Sequence, residues 1–278
     1  MKHISLITAE ILADLRERQH TREELVMRVI SVANQKGGVG KTTTAFCLTA
    51  GLTEAGKKAL CIDLEGQRNL TATLGNAQEE TPTILEVLTG EADITEAILT
   101  TPAGDFIRGD KRLSLIDNTL RGADKYEKLR EAIKPLHRKY DYVIIDTPPA
   151  LGTLTLNALT ASDYVIVPAV ADLYSSYGIA DLAETIEAIK GSTNKKLKTL
   201  GILLTMHNPR ARLSKEMEDY LDNITKAFKT SLFDTKIRSS IKAREVQLRP
   251  EGLFKYAPKA PITEDYRALF AEVIKKAK

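Results

Sequence analysis

Along this chain, short and nearly continuous apolar runs alternate with longer segments whose apolar residues recur at helical spacing. Residues 28–34, 57–63, 140–146, 163–168 and 199–205 are rich in Val, Ile and Leu with few polar interruptions, the pattern of strands buried on both faces. Residues 42–55, closed by Gly56, and residues 179–189 predict helices between them. Strands separated by helices imply parallel pairing through right-handed crossovers. The expected fold is therefore α/β: a twisted, mostly parallel sheet with helices on both faces. No internal repeat, low-complexity run or long linker breaks the pattern.

The two ends differ from this middle. Residues 1–28 carry Ile11, Leu12 and Leu15 at helical spacing and then Thr21-Arg22-Glu23-Glu24, a capping-box pattern for a second short helix. The chain thus divides into a helical arm, 1–28, and one main domain, 29–278. The arm either packs on the core or on another subunit, or frays as termini do. Near the other end, Leu269, Phe270, Val273 and Ile274 mark a helix, but Asp265 and Glu272 interrupt its apolar face. That pattern favours packing on the core over insertion into lipid.

Composition narrows the class. At 278 residues, 43% of them hydrophobic, the chain can bury one large core. No apolar stretch approaches the roughly 20 residues of a membrane span, and the first residues lack a signal-peptide pattern, so a cytoplasmic protein is expected. The two cysteines, Cys47 and Cys61, fall on a predicted helix and strand and read as small core residues; four scattered histidines have no metal-ligand spacing. The net charge of +3 hides an asymmetry: from residue 190 onward 20 Lys+Arg stand against 10 Asp+Glu, so +10, leaving −7 for residues 1–189.

Chemistry concentrates in Lys36-Gly37-Gly38-Val39-Gly40-Lys41-Thr42-Thr43. The common phosphate-loop pattern, G-x-x-x-x-G-K-S/T, fails because Gln35 occupies the first glycine position; what stands here is the deviant form K-G-G-x-G-K-S/T. The glycines let backbone N–H groups approach phosphate oxygens, Lys41 neutralises their charge, and the Thr42 hydroxyl can coordinate Mg²⁺. A strand before the loop and a helix after it aim peptide dipoles at the anion. Residues Gly37 to Thr43 are the candidate nucleotide-binding set.

With its second lysine, this loop resembles the ParA/MinD superfamily of deviant Walker-type ATPases, and more closely the ParA/Soj partition ATPases, over roughly residues 29–274. The resemblance implies a single-domain phosphate-loop fold, ATP and Mg²⁺ as cofactors, and an ATP-sandwich homodimer. Lys36 would be the signature lysine that reaches across the dimer to the partner's nucleotide and stabilises transition-state charge; a solvated lysine is the plainer alternative. The iron-sulfur reductases that share the loop need cluster-ligating cysteines this chain lacks.

Asp63-Leu64-Glu65-Gly66-Gln67-Arg68-Asn69 stands where relatives show D-x-D-P-Q-x-N. Asp63 would hold the Mg²⁺ shell through water, and Glu65 would orient the attacking water. Glu65 is one methylene longer than the expected aspartate, and a misplacement of about 1 Å can cost about 100-fold; hydrolysis slow for the family is expected. An exposed loop carboxylate without a catalytic role is the competing reading of Glu65. Asp146, delivered by an apolar strand and followed by Thr147-Pro148-Pro149, would be the Walker B carboxylate on Mg²⁺. Asn208 resembles the position near which relatives hold adenine, although a turn before Pro209 explains it equally.

The basic half supplies the partner. Lys226, Lys229, Lys236, Arg238, Lys242, Arg244 and Arg249 fall close together, and residues 237–247 look like the element near which partition ATPases bind double-stranded DNA non-specifically. Lys242 and Arg244 are the first candidates, with a generic solvated basic face as the alternative. The resemblance further implies a ParB-like or other centromere- or cargo-binding partner that stimulates hydrolysis, no membrane, and a nucleoid-associated protein. Residues 1–28 are too short to be the DNA-reading domain of the large plasmid ATPases. A MinD-like positioning ATPase is the main alternative; an amide-forming synthetase is a third, for which no substrate pocket is marked.

Overall fold

The computed structural model describes residues 27–74, 80–171, 175–208, 221, 225 and 230–278. The helices expected in the arm, and Lys226, Lys229 and Pro209, lie outside them. Seven strands, β1 (Arg28–Val32), β2 (Ala59–Asp63), β3 (Ile98–Thr101), β4 (Gly104–Ile107), β5 (Tyr142–Asp146), β6 (Tyr164–Val170) and β7 (Lys198–Thr205), form one sheet in the order β3-β4-β2-β5-β1-β6-β7. Every neighbouring pair is parallel except β3 with β4. The α-helices are α1 (Lys41–Glu54), α2 (Asn69–Leu74), α3 (Ile84–Thr89), α4 (Ile116–Thr119), α5 (Lys128–Ala132), α6 (Thr153–Ala161), α7 (Ser175–Gly191), α8 (Lys242–Glu245), α9 (Leu253–Tyr256) and α10 (Pro261–Lys276).

All five expected strands are present within a few residues. Their side chains alternate between two buried layers, which is why each reads as a continuous apolar run. Ile30, Cys61, Ile144 and Ile166 face a core shared with α1 and α10, whereas Val29, Leu60, Ile62, Val143 and Ile145 face a second with α3, α5 and α6. Val165, Val167, Ile202 and Leu204 pack under α7 in a third. Both cysteines are buried, and burial pushes both thiols up.

The β3–β4 hairpin was not legible in the sequence. Its strands are four residues each and only partly apolar, because they close an edge rather than cross the core. At the opposite edge, residues 231–238 run beside β7, with the Phe233 N–H on Ile202 O at 2.9 Å and the Ile237 N–H on Leu204 O at 2.8 Å. The acidic residues that interrupt the apolar face of α10 hold this segment down. Glu272 accepts the Asp234 and Thr235 N–H groups at 3.1 and 3.0 Å, and Asp265 accepts the Arg238 N–H at 3.0 Å and its guanidinium at 2.7 Å.

The apolar side of α10 packs on the core: Tyr266, Leu269, Phe270 and Val273 are buried with residues of α1 and the sheet, and Ile274 is partly buried against them. Close approach is possible because α1 carries Gly51, where a Cβ would sit 2.4 Å from Phe270 Cδ1 and 3.1 Å from Phe254 Cζ. Among the described residues no helix is long and apolar enough to cross a membrane.

In an unconstrained helix, Gly→Ala stabilises by roughly 1 kcal/mol. Here Gly51→Ala is expected instead to destabilise by about 1–3 kcal/mol through overpacking, read as a lower thermal unfolding midpoint. A higher midpoint would mean that the Phe270 contact relaxes and helix propensity wins.

Candidate active site

The carboxyl ends of β1, β2 and β5 lie level, with Val32 opposite Asp146 and Asp146 opposite Asp63. The phosphate loop leaves β1 at this edge. Asn34 anchors it: its Nδ2 donates to Pro168 O at 2.6 Å and its Oδ1 accepts the Lys36 N–H at 2.9 Å. Gly38 and Gly40 take φ +73° and +86°, the left-handed region glycine tolerates, and the loop wraps back onto α1. The Lys41 ammonium donates to Lys36 O at 3.1 Å. The Thr205 hydroxyl, at the end of β7, lies 2.8 Å from Val39 O and 3.1 Å from Ala169 O, tying the loop to the far strands. The N-terminus of α1 has no side-chain cap and no acidic residue in its first turn, so its orphan N–H groups face the loop's concavity.

Against this loop stand three buried carboxyls and one buried ammonium. Asp63 and Asp146 are 0% exposed, Glu65 8% and Lys41 7%. Glu65 is thus not the exposed loop carboxylate of the competing reading. Burial draws Lys41 below its ordinary range while the Asp146 and Glu65 charges pull it back. The two aspartates are satisfied differently. Asp63 Oδ1 accepts the Glu65 N–H at 3.0 Å, and Oδ2 accepts the Thr71 N–H at 3.0 Å and hydroxyl at 2.7 Å. Burial nevertheless pushes its carboxyl up to about 6. Both oxygens of Asp146 are buried without a hydrogen-bond partner. Burial and the neighbouring Asp63 charge raise it well above the usual range, with the Thr42 hydroxyl and Lys41 opposing.

Sequence reasoning missed Thr71. Besides meeting Asp63, its hydroxyl accepts the Gly109 N–H at 2.9 Å, so it joins β2, α2 and the chain after β4. The loop between carries Arg68 at φ +57°, a conformation bulky residues rarely hold, with the Arg68 N–H on Glu65 O at 3.0 Å. Neither feature has a pattern that periodicity or charge would reveal. Beside Glu65, a cavity of about 340 Å³ opens between Gly66-Gln67 and Pro148-Pro149.

On the other side of the loop, a cavity of about 100 Å³ lies between Gly40, Thr43, Met206, Ser239, Ala243 and Arg244. Gln247 Nε2 reaches the Thr43 hydroxyl at 3.3 Å. Met206 lines this space, and Asn208 is exposed. Of the two candidate DNA-binding cations, Arg244 is exposed at the cavity's rim. The Lys242 ammonium is held by Glu245 at 2.7 Å and the Tyr256 hydroxyl at 3.3 Å. Lys36 is half-buried at the loop's entrance.

Both aspartates are raised, so protonation favours the fold. Their stabilising contribution is present below the ordinary value of 3.8 and is lost as pH rises through the folded value, about 6 for Asp63. Nucleotide-free protein is expected to melt higher near about pH 5.5 than near about pH 7.5, and Asp146→Asn to raise the neutral-pH midpoint and narrow that difference while abolishing Mg²⁺-dependent hydrolysis. Unchanged melting in Asp146→Asn would refute the buried-charge account. Thr71→Val is expected to lower kcat for ATP hydrolysis about tenfold or more by loosening the Glu65 loop, and Thr71→Ser to restore it; equal losses in both would assign Thr71 to packing alone.

Comparison with known proteins agrees with this geometry. An AAA domain family, AAA_31, matches residues 27–199. The chain is 36% identical over 255 residues to the chromosome partitioning protein ParA of Myxococcus xanthus, covering 90% of this chain and 89% of that one. It is 37% identical over 248 residues to the chromosome-partitioning ATPase Soj of Thermus thermophilus, covering 89% and 96%. Among solved structures, a cobyrinic acid a,c-diamide synthase from Mycobacterium smegmatis with bound ATP analogue and magnesium superposes with TM-score 0.78 at 33% identity, covering 90% and 95%. The cell division ATPase MinD of Pyrococcus furiosus superposes with TM-score 0.72 at 25% identity, covering 89% and 98%. The chain belongs to the ParA/Soj-type ATPases of the ParA/MinD superfamily.

Proposed function

We propose that this chain is an ATP-gated partition or positioning switch: it dimerises around ATP, binds double-stranded DNA without sequence preference, and is released when a DNA- or cargo-bound partner stimulates hydrolysis. The observation that carries the nucleotide site is the pair of unpartnered buried oxygens on Asp146, set beside Lys41 under an uncapped helix N-terminus. Three buried carboxyls against one ammonium leave an excess of negative charge that a divalent cation and its phosphates would neutralise. Mg²⁺ suits such a site because it is held by one or two carboxylates plus substrate phosphates.

Each residue then has a task. Residues Gly37 to Thr43 cradle the phosphates, Lys41 neutralises their charge, and Thr42 with Asp146 holds the cation. Mg²⁺, when bound, neutralises charge developing between the β- and γ-phosphates. Glu65 orients the attacking water from a loop fixed by Asp63 and Thr71. Lys36 completes the partner's site, so chemistry waits on dimerisation. The nucleoside extends toward Met206 and residues 239–247, with Asn208 at the outer rim. Because this same segment carries Arg244 and Lys242, nucleotide occupancy is coupled to the DNA-binding surface: ATP favours the dimer, the dimer aligns the cations, and hydrolysis removes the bias. Such a protein works in the cytoplasm on the nucleoid. The MinD-like alternative with a lipid-inserting terminal helix is disfavoured because α10 already buries its apolar face.

The test is binding to random-sequence double-stranded DNA with ATP, ADP or no nucleotide across a salt series. ATP is expected to add a salt-sensitive increment of affinity that Lys36→Ala and Lys242→Ala/Arg244→Ala both abolish. An ATP increment absent from the wild type would overturn the DNA-switch reading and leave a protein cargo.

A further inference from the structure

Two loops at the carboxyl edge of the sheet flank the buried carboxyls: residues 65–68, which follow β2, and residues 147–152, which follow β5. Between them opens the cavity of about 340 Å³, and its third wall is segment 111–117, a 3₁₀ turn (Lys111–Leu115) that runs into α4. This wall is a strut. Leu113 and Ile116 are buried in the core covered by α3, α5 and α6. Asp110 caps its start, accepting the Arg112 N–H at 2.7 Å, and the Arg112 guanidinium closes on Asp110 and Glu86.

The strut meets both loops. On one side Gly66 lies so close that a Cβ there would sit 3.2 Å from Ser114 N and 3.6 Å from Lys111 O, so the loop bearing Glu65 rests directly on the turn. On the other side the Asp117 carboxylate accepts the hydroxyl of Thr153, the first residue of α6. Thr153 is buried and Asp117 is exposed, so a buried donor is satisfied from the cavity's outer wall. The N-cap of α6 is Gly152, which has no side chain to cap with, and a Cβ on it would stand 3.8 Å from Asp117 Oδ2. Asp117 therefore supplies, from a different element, the carboxylate that a helix N-terminus favours. Two other hydroxyls hold the loop after Asp146: Thr147 donates to Val32 O at 2.9 Å and Thr155 to Ala150 O at 2.6 Å. These bonds tie it to β1 and α6, whereas the bond from Asp117 ties it to the wall on which the loop bearing Glu65 rests. The phosphate loop has separate anchors in Asn34 and Thr205.

We propose that Asp117 is a positioning residue for ATP hydrolysis: from the 111–117 strut it holds the loop after Asp146 at a set spacing from Glu65, so that the carboxylate on the cation and the carboxylate on the attacking water keep one geometry. The inference rests on the roles of Glu65 and Asp146 proposed above and adds to them a residue outside the nucleotide motifs. Asp117 acts through Thr153 rather than by touching the nucleotide. A displacement of about 1 Å can cost about 100-fold in rate, so a latch on one wall of the cavity is enough to set turnover. Nucleotide affinity stays with the separately anchored phosphate loop, and loss of the latch therefore slows hydrolysis without weakening binding.

The test measures steady-state hydrolysis of Mg²⁺-ATP and affinity for a fluorescent ADP in full-length wild type, Asp117→Ala, Asp117→Asn, Thr153→Val and the double variant Asp117→Ala/Thr153→Val, with Glu65→Ala as reference. Asp117→Ala and Thr153→Val are each expected to lower kcat about tenfold with ADP affinity unchanged. Asp117→Asn, whose amide oxygen still accepts the Thr153 hydroxyl, should keep kcat near that of the wild type. The double variant should be no slower than either single one, because both break the same bond. Wild-type kcat in Asp117→Ala, equal losses in Asp117→Ala and Asp117→Asn, losses that multiply in the double variant, or a matching loss of ADP affinity would each overturn the inference. Near-wild-type hydrolysis by Glu65→Ala would refute the role given to Glu65, whereas an inactive Glu65→Ala beside a fully active Asp117→Ala refutes the Asp117 latch and leaves that role standing.

Discussion

Three carboxyls and one ammonium buried at the carboxyl edge of a parallel sheet form the constraint on which this structure depends. Burial alone penalises each charge, and mutual repulsion between Asp63 and Asp146 adds to it, so the cluster of carboxyls is electrostatically costly by itself. The arrangement persists because a well-packed fold carries it. Asp63 is held by three donors, the Lys41 ammonium by a loop carbonyl, and the whole edge by strands whose both faces are covered. Asp146 has no comparable set of donors, only the Thr42 hydroxyl and the Lys41 charge opposing its burial.

Topology turns this constraint into communication. β1 lies between β5 and β6, so the phosphate loop emerges beside Asp146 on one side and, through Asn34 and Thr205, is pinned to β6 and β7 on the other. The loop bearing Glu65 is fastened through Thr71 to the chain after β4. Segment 231–238, laid along β7 and clamped by Asp265 and Glu272, leads directly into the residues that carry Lys242 and Arg244. A change in charge at the phosphate loop therefore has short covalent and hydrogen-bonded routes to both neighbouring segments, which is the physical basis of the proposed coupling.

Packing explains features that charge does not. Helix α1, which begins at the end of the glycine-rich loop, is buried along most of its length and is approached closely by α10 at Gly51.

The sequence by itself determined five of the seven strands, the helices after the phosphate loop, at 179–189 and near the C-terminus, the phosphate loop, the three acidic positions and the basic character of the second half. Those features are local: a continuous apolar run, a glycine spacing or a charge count needs no distant partner to be recognised. The β3–β4 hairpin was hidden because edge strands are short and half-polar. Thr71 and Thr205 were hidden because their roles arise from hydrogen bonds to residues 8 and 166 positions away in the chain. The acidic residues of α10 seemed in sequence only to spoil an apolar face, and the tertiary structure makes them the clamp on segment 234–238. Only the folded sheet decided that Asp63 is satisfied and Asp146 is not, since both close apolar strands with an aspartate; which carboxylate is left without donors depends on what the neighbouring strands and loops bring to it.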